Sequence, residues 1–305
     1  MGRERDDTRG EARGPAPVRR RTTARVVQRG PVSFPVGDVL AKTFAIFGRY
    51  LPLWLVLGAL AQAPSVLYEL SQIRELGPDP SVAQLAQALE STSRGGGIPG
   101  LISVILGLAV TAFTTHVVLL HLDGRRVQLG ETFGIAMGRL PAVLGTSIIM
   151  GLAMGAVAFV VAMLTVGLKL PLVLAVVLML LPALLMYLAW FVAIPATVAE
   201  RKAGAGALQR SGQLTRGARW QILGALSLFV VLGLLGGFVL GAVFGPKEGT
   251  MEVVDAALQR RLLWLQLPLT IVVSALMAIL SAVAYRELRV TKEGVSSKEL
   301  ADVFA

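Results

Sequence analysis

The sequence predicts an all-α, polytopic membrane protein with six transmembrane helices and short cytoplasmic interfacial helices. Of the 305 residues, 54% are hydrophobic and only 16% are charged, whereas a soluble domain averages about 25% charged residues. Such a chain cannot cover a globule with polar surface, so lipid must be the solvent for part of it. Long uncharged runs, and an alternation of Lys and Arg between the segments that join them, support the same fold class.

Six segments are long enough to cross a bilayer, because its hydrocarbon core of about 30 Å needs roughly 20 apolar helical residues. Pro52, Gln62 and Pro64 interrupt the first segment, and Pro182 is expected to kink the fourth. Neighbouring helices can satisfy the backbone groups that a proline frees. The predicted spans cover about 51–70, 98–120, 141–166, 171–195, 221–245 and 262–285.

The sequence divides into a tail over residues 1–33 and a membrane domain over 34–305. The first 30 residues hold nine Arg and four acidic residues, and they have too little apolar surface to offset the entropy of ordering. We expect a disordered, Arg-rich cytoplasmic tail without a cleavable signal peptide, because no apolar run stands near its start. Arg19–Arg21 either contact anionic headgroups or only help to orient the chain.

Lys and Arg are distributed unequally between the two sides of the predicted bundle. Of the 29, 23 lie in the tail before the first span, in the loops 121–140 and 196–220, and after the sixth span. Basic residues accumulate on the cytoplasmic side of membrane proteins, so we expect both termini in the cytoplasm and a bacterial inner-membrane location. The stretch AYRELRVTKEG (284–294) then marks where the sixth helix leaves the membrane on that side.

Three cytoplasmic stretches resemble one another, over 36–55, 129–145 and 204–224. Each is a short amphipathic segment that reaches a basic turn and then enters an odd-numbered span. This pattern predicts three repeated hairpin units, since parallel repeats occur in membrane proteins. The alternative also stays open, because any cytoplasmic loop that enters a membrane can end in Arg and an aromatic residue.

Several basic residues precede the fifth span and are expected to lie flat on the lipid. Arg side chains reach phosphates with several donors, and Trp prefers the headgroup zone. The predicted headgroup contacts are Arg210, Arg216, Arg219 and Trp220. In the alternative interpretation, the arginines hold the cytoplasmic ends of the bundle together by pairing with carboxylates. Those carboxylates are Glu200, Glu287 and Glu293.

Glycines recur every four residues in the fifth span. A helix face without side chains lets another backbone come close, so we expect these glycines to pack against a helix of this chain or of another copy. Gly151 and Gly155 show the same spacing in the third span. The predicted packing glycines of the fifth span are Gly233, Gly237, Gly241 and Gly245.

The sequence carries no pattern that predicts catalysis. The spans contain no Asp, Lys or Arg, although ion-driven transporters usually hold ionisable groups at membrane depth. His116, His121 and Asp123 could suggest a metal site, but a spacing of five places the two imidazoles about 140° apart on a helix. We therefore expect interfacial hydrogen bonding from them, and no catalytic residue, cofactor or metal.

Two stretches, IPATVAERKAGAGALQRSGQLTRGARWQILG (194–224) and AYRELRVTKEGVSSKELADVF (284–304), together carry a family resemblance. They resemble the bacterial integral-membrane domain named after glycerophosphoryl diester phosphodiesterases, and related uncharacterised six-span families. The resemblance covers roughly 34–305. In some members a soluble phosphodiesterase domain follows the membrane part. Here 20 residues follow the sixth span, too few for a barrel of ~250 residues, so the resemblance implies no phosphodiesterase activity.

Two functional hypotheses follow. The first is a non-catalytic scaffold or regulatory module that associates with lipid or with another membrane protein, and the second is a transporter or flippase for a lipid-like or apolar solute. Enzyme chemistry at His116 is a third class, but the chain shows no constellation for it. We expect membrane lipids as partners and no nucleic acid, and another membrane protein or a second copy of the chain remains an open alternative.

Overall fold

The structure, a computed structural model, describes residues 34–76, 97–244 and 256–294. The predicted tail over 1–33 lies outside these ranges, as does Gly245. All regular secondary structure in the described ranges is helical. The main helices are α1 (Val36–Arg49), α2 (Leu51–Leu76), α3 (Gly97–Leu122), α4 (Leu129–Gly167), α5 (Leu172–Trp190), α6 (Ala193–Glu200), α7 (Ala205–Thr215), α8 (Arg219–Phe244) and α9 (Ala256–Glu293).

Six helical segments are long and apolar enough to cross a membrane, which confirms the all-α, six-span fold class. The fourth of them comprises α5 and α6, and the helix continues past Pro182 inside α5. The segments are Leu51–Arg74, Gly97–Leu122, Leu129–Gly167, Val173–Glu200, Arg219–Val243 and Arg260–Glu293. The chain is therefore a multi-pass integral membrane protein.

Two helices are much longer than a bilayer requires. The helix α4 has 39 residues and α9 has 38, and at about 1.5 Å per residue each is nearly 60 Å long, against a core of about 30 Å. Both therefore extend into the polar region. The predicted interfacial segment 129–145 is continuous with the third span, whereas α1 ends at Arg49 before α2 begins. The interfacial helices and the threefold repeat stay predictions.

The helix α9 lies at the centre of the bundle and packs against α1, α2, α3 and α8. Towards its C-terminal end it buries Leu280, Val283, Tyr285 and Leu288 almost completely. By contrast, the most apolar windows of the third and fourth spans are only 0% and 6% buried within the protein. Apolar side chains gain nothing by leaving lipid, so these two spans can face the bilayer, while the well-packed core sits nearer the end of α9.

The glycine spacing does not identify the helix contacts of the described bundle. A Cβ added at Gly233, Gly237 or Gly241 would meet no atom within 4 Å among the described residues, so the structure does not place them against another helix of this chain. Gly236 is the position in α8 that faces α9, where a Cβ would stand 3.1 Å from Leu269. Packing of Gly233, Gly237 and Gly241 against another copy of the chain stays a prediction.

Gly151 and Gly155 likewise have open space in place of a Cβ. The closest approach occurs instead at Gly58 in α2, where a Cβ would lie 2.5 Å from the Cγ2 atom of Ile271 in α9. Gly58 has no glycine partner at a spacing of four, so no sequence pattern marks it. The tight contact follows from the crossing of α2 and α9, which the chain brings together over more than 200 intervening residues.

Candidate functional site

The C-terminal turns of α3 and α9, the first turns of α4, and the segment 200–219 meet at one end of the bundle, which we call the basic end. Ion pairs between distant residues join them. Arg286 Nε donates to Asp123 Oδ1 at 3.0 Å, and Lys42 Nζ donates to Glu287 Oε1 at 2.7 Å. These pairs link α9 to the turn after α3 and to the middle of α1, so three helices are joined by ion pairs near this end of the bundle.

A carboxylate at the end of α6 organises the basic end. Arg210 Nε donates to both carboxylate oxygens of Glu200, at 2.7 and 2.9 Å. The Tyr285 hydroxyl donates to the same carboxylate at 2.9 Å, and Lys202 Nζ lies 3.3 Å from it. The Glu200 side chain is only 12% exposed, so its charge depends on these donors for compensation.

Arg210 extends this network to the end of α9. Its Nη2 atom donates to Glu293, and Arg289 Nε donates to the same carboxylate at 3.1 Å. Partial burial acts to lower the pKa of Arg210, but the hydrogen bonds and charges of Glu200 and Glu293 outweigh it and raise that pKa above its usual range. We call these residues, Glu200, Arg210, Tyr285, Arg289 and Glu293, the Glu200 network.

The helix α7 is hydrogen-bonded to two neighbouring helices, α9 and α5. Lys292 Nζ donates to the backbone carbonyls of Gln213 and Arg216, both at 2.6 Å, and a cation is favourable at a helix C-terminus. Ser211 Oγ donates to the carbonyl of Ala189 at 2.8 Å, at the end of α5. The segment between the fourth and fifth spans is therefore attached to α5 and α9.

The predicted headgroup contacts have different surroundings. Arg210 lies in the Glu200 network, so for this residue the structure shows the pairing alternative, with Glu200 and Glu293 as the partners. Arg216 is exposed and Trp220 is 82% exposed. Arg219 Nε is buried and has no hydrogen-bond partner among the described residues. Headgroup contact by Arg216, Arg219 and Trp220 stays a prediction.

The two histidines of α3 have separate environments. His121 Nδ1 lies 3.3 Å from the Tyr50 hydroxyl, and the two rings meet edge to face. His116, which precedes His121 in α3, lines a separate cavity. In the part of the chain that the structure describes, no three His, Cys, Asp or Glu side chains are grouped closely enough to hold a metal ion.

A cavity of about 660 Å³ opens among α3, α4, α6 and α9, and we call it the basic cavity. Five arginines and one carboxylate, that of Asp123, contribute to its lining, together with Tyr285 and several aliphatic side chains. The arginines are Arg125, Arg139, Arg201, Arg286 and Arg289. Arg201 has a left-handed backbone, with φ of 58°, which non-glycine residues rarely adopt.

Sequence reasoning did not bring these arginines together. They belong to four separate parts of the chain, and no local motif joins them. The available signal in the sequence was the accumulation of basic residues in the loops 121–140 and 196–220, which predicts a side of the membrane but no contact between residues. A second cavity of about 640 Å³ lies beside the first and is lined by Arg49, Tyr50, His121, Arg125 and Arg126, among others.

Comparisons of the chain with models of known protein families, with curated proteins and with solved structures find no match. The resemblance to the membrane domain named after glycerophosphoryl diester phosphodiesterases stays a prediction.

Proposed function

We propose that the protein is a non-catalytic membrane scaffold or regulatory module that associates with anionic lipid through its basic end. The observation that carries this proposal is the basic cavity, where five arginines and a single carboxylate face one concavity. We further propose a bacterial inner-membrane location with both termini in the cytoplasm. This orientation would place the basic end at the anionic lipids of the cytoplasmic leaflet.

The chemistry of the basic end supports association more than turnover. An anionic leaflet attracts each nearby Lys or Arg by about 1 kcal/mol, and the attraction falls off within a Debye length. The Glu200 network and the Lys292 contacts hold α7 and α9 in one arrangement. A rigid cationic surface of this kind can bind lipid or present a fixed face to another membrane protein.

Lipid enrichment tests the proposal directly. The full chain would be reconstituted in vesicles of phosphatidylcholine with a minor fraction of labelled phosphatidylglycerol. We expect enrichment of the anionic lipid around the protein, and a decrease of this enrichment as salt concentration rises, because salt screens exposed charges. If the lipid next to the protein contains the same fraction of phosphatidylglycerol as the bulk membrane at low salt, the proposed association is contradicted.

Reporter fusions test the orientation separately. Fusions after Arg126 and after Lys202 should report the cytoplasm, whereas a fusion near Gln87 should report the other side. The basis is the excess of Lys and Arg in the loops 121–140 and 196–220. A cytoplasmic signal at Gln87, or an external signal at Lys202, would contradict the orientation.

A transporter or flippase for a lipid-like solute is the second candidate, and one observation favours it. A cavity of about 210 Å³ lies among α2, α3 and α9 and includes polar side chains at membrane depth: Gln62, Thr111, Thr114 and Ser274. Ligand cavities usually measure roughly 300–1,000 Å³, so this one is small for a lipid. Saturable movement of labelled lipid between leaflets, at a rate above that of protein-free vesicles, would favour the transporter over the scaffold.

A further inference from the structure

The arginines of the basic cavity fall into two groups. Arg286 pairs with Asp123, and Arg289 pairs with Glu293. The others, Arg125, Arg139 and Arg201, form no ion pair with any residue in the described ranges. The carboxylate in the lining of the cavity, that of Asp123, is already paired with Arg286. The other three guanidinium groups therefore share the cavity without a carboxylate of their own.

This arrangement concentrates positive charge that an anion would neutralise, while solvent screens part of it because Arg125 and Arg201 are exposed and Arg139 is half-buried. Arg cannot lose its proton at ordinary pH, so like charges that converge on a cavity cannot neutralise themselves as a Lys or His cluster could. The planar guanidinium fork matches two oxygens of a phosphate group, and such charge-assisted bonds are among the strongest in proteins. An oxyanion with several oxygens can serve more than one guanidinium at once.

Arg201 stands at the C-terminal cap of α6 with a left-handed backbone, which is a common way for a helix to end. An L-residue in the left-handed region costs about 1–2 kcal/mol, and glycine is the usual residue at such a position. Gly204, three residues later, supplies positive φ where the chain needs it a second time. At residue 201 the chain has an arginine instead, and this arginine lines the cavity.

The remaining lining narrows the chemistry of the ligand. Leu119, Leu120, Ile135 and Val198 contribute aliphatic surface to the same cavity, and the volume of about 660 Å³ is within the range of small-molecule sites. A cavity that is cationic on one part and aliphatic on another suits a phosphate with an organic group attached.

We propose that the basic cavity is a binding site for a phosphate monoester or diester, held by Arg139 and Arg201 with Arg125 at the rim. The phosphate would belong either to a lipid headgroup or to a small soluble phosphate compound. This inference deepens the proposed function, on which it rests for the placement of the basic end at the membrane surface.

The test compares two double variants with the same change in net charge at the same end of the protein. Arg139→Gln with Arg201→Gln removes two cations from the basic cavity. Arg49→Gln with Arg126→Gln removes two exposed cations outside its lining. The full chain would be purified in an uncharged maltoside detergent, and binding of short-chain phosphatidic acid would be measured by isothermal titration calorimetry.

We expect the cavity variant to lose affinity at least about 10-fold, because each arginine would contribute charge-assisted bonds and a 10-fold change corresponds to about 1.4 kcal/mol. The control variant should change affinity by less than about 3-fold, since its cations act only through screened long-range attraction. The proposal would be overturned if wild-type protein does not bind the probe, or if both variants lose affinity equally.

Competition distinguishes the two sources of the phosphate. If inorganic phosphate and glycerol 3-phosphate displace the short-chain phosphatidic acid, the site takes a soluble phosphate compound. If neither displaces it, the site needs the lipid. A separate single variant, Arg201→Gly, keeps the test falsifiable should the double cavity variant fail to fold, because glycine accepts the left-handed backbone without strain. It should still bind phosphatidic acid several-fold more weakly than wild type, and wild-type affinity would overturn the role of Arg201.

The two proposals can fail separately. Unchanged phosphatidic acid affinity in the cavity variant, together with persistent enrichment of phosphatidylglycerol in vesicles, would refute the site and leave the lipid association in place. Loss of that enrichment, together with cavity-dependent binding of the phosphate probe, would refute the lipid association and leave the site in place.

Discussion

Replacement of Glu200 by Gln should destabilise the basic end more than the loss of an exposed ion pair does. The substitution keeps the size of the side chain and one oxygen acceptor, but it removes the charge that compensates Arg210. Arg210 is only 16% exposed, and Glu200 is 12% exposed. The variant therefore leaves a mostly buried guanidinium with Glu293 as its remaining carboxylate.

The magnitude follows from the exposure of the two groups. A hydrogen bond to a charged group contributes about 1.5–3 kcal/mol. Removing one partner of a fully buried pair costs about 3–5 kcal/mol, whereas an exposed pair contributes about 0–1 kcal/mol. A pair at this depth lies between these limits, since solvent screens part of the charge, and we expect a loss of about 2–3 kcal/mol. The Tyr285 hydroxyl can still donate to the amide oxygen, so its bond need not be lost.

Unfolding in mixed micelles, by titration with sodium dodecyl sulfate and detection of helix content, would measure the change in the free energy of unfolding. Lys42→Gln is the matched control, because it breaks another ion pair of α9, at 2.7 Å, in which the lysine is 44% exposed. We expect the control to cost less than about 1 kcal/mol. If Glu200→Gln costs no more than Lys42→Gln, the Glu200 network does not stabilise the basic end as argued.

Two further predictions concern backbone positions, and both can be checked by thermal unfolding in detergent. Gly58→Ala should cost about 1–3 kcal/mol, because its Cβ would stand 2.5 Å from Ile271 and a β-branched side chain in a helix has few rotamers. Gly233→Ala, which meets nothing within 4 Å, should be neutral or stabilising by up to about 1 kcal/mol; equal losses for both would contradict the packing. Arg201→Gly should leave stability unchanged or raise it by up to about 1 kcal/mol, and a clear loss would show that the arginine stabilises the fold.

The sequence was sufficient for the six-span architecture because one physical requirement dominates it. Backbone groups in lipid must be satisfied within the segment, so every uncharged run of sufficient length becomes a helix. The ends of the helices are less determined. In α4 the chain passes Gly138 and Arg139 without a break, since neither residue forces a helix to stop, and hydropathy alone does not locate where such a helix leaves the membrane.

The packing and the site required coordinates for different reasons. The four-residue glycine spacing marks one face of α8, but the glycine that contacts α9 is Gly236, which does not belong to that spacing. The rotation of a helix about its axis depends on the helices packed against it, and the spacing alone does not reveal it. The pairing of Arg210 with Glu200 was foreseeable from their closeness in sequence. The basic cavity was not, because Arg139 and Arg201 are brought together by the packing of α4 against α6.

The Glu200 network also determines which groups of the basic cavity remain available to a ligand. Tyr285 lines the cavity, but its hydroxyl donates its single hydrogen to Glu200. The phenol therefore has no donor left for an anion unless that bond breaks. Asp123 already compensates the charge of Arg286, so Arg125, Arg139 and Arg201 carry the charge of the cavity that is not paired within the described residues. The same contacts that hold the helix ends together thus leave the cationic side of the cavity preorganised, and binding there need not disturb the Glu200 network.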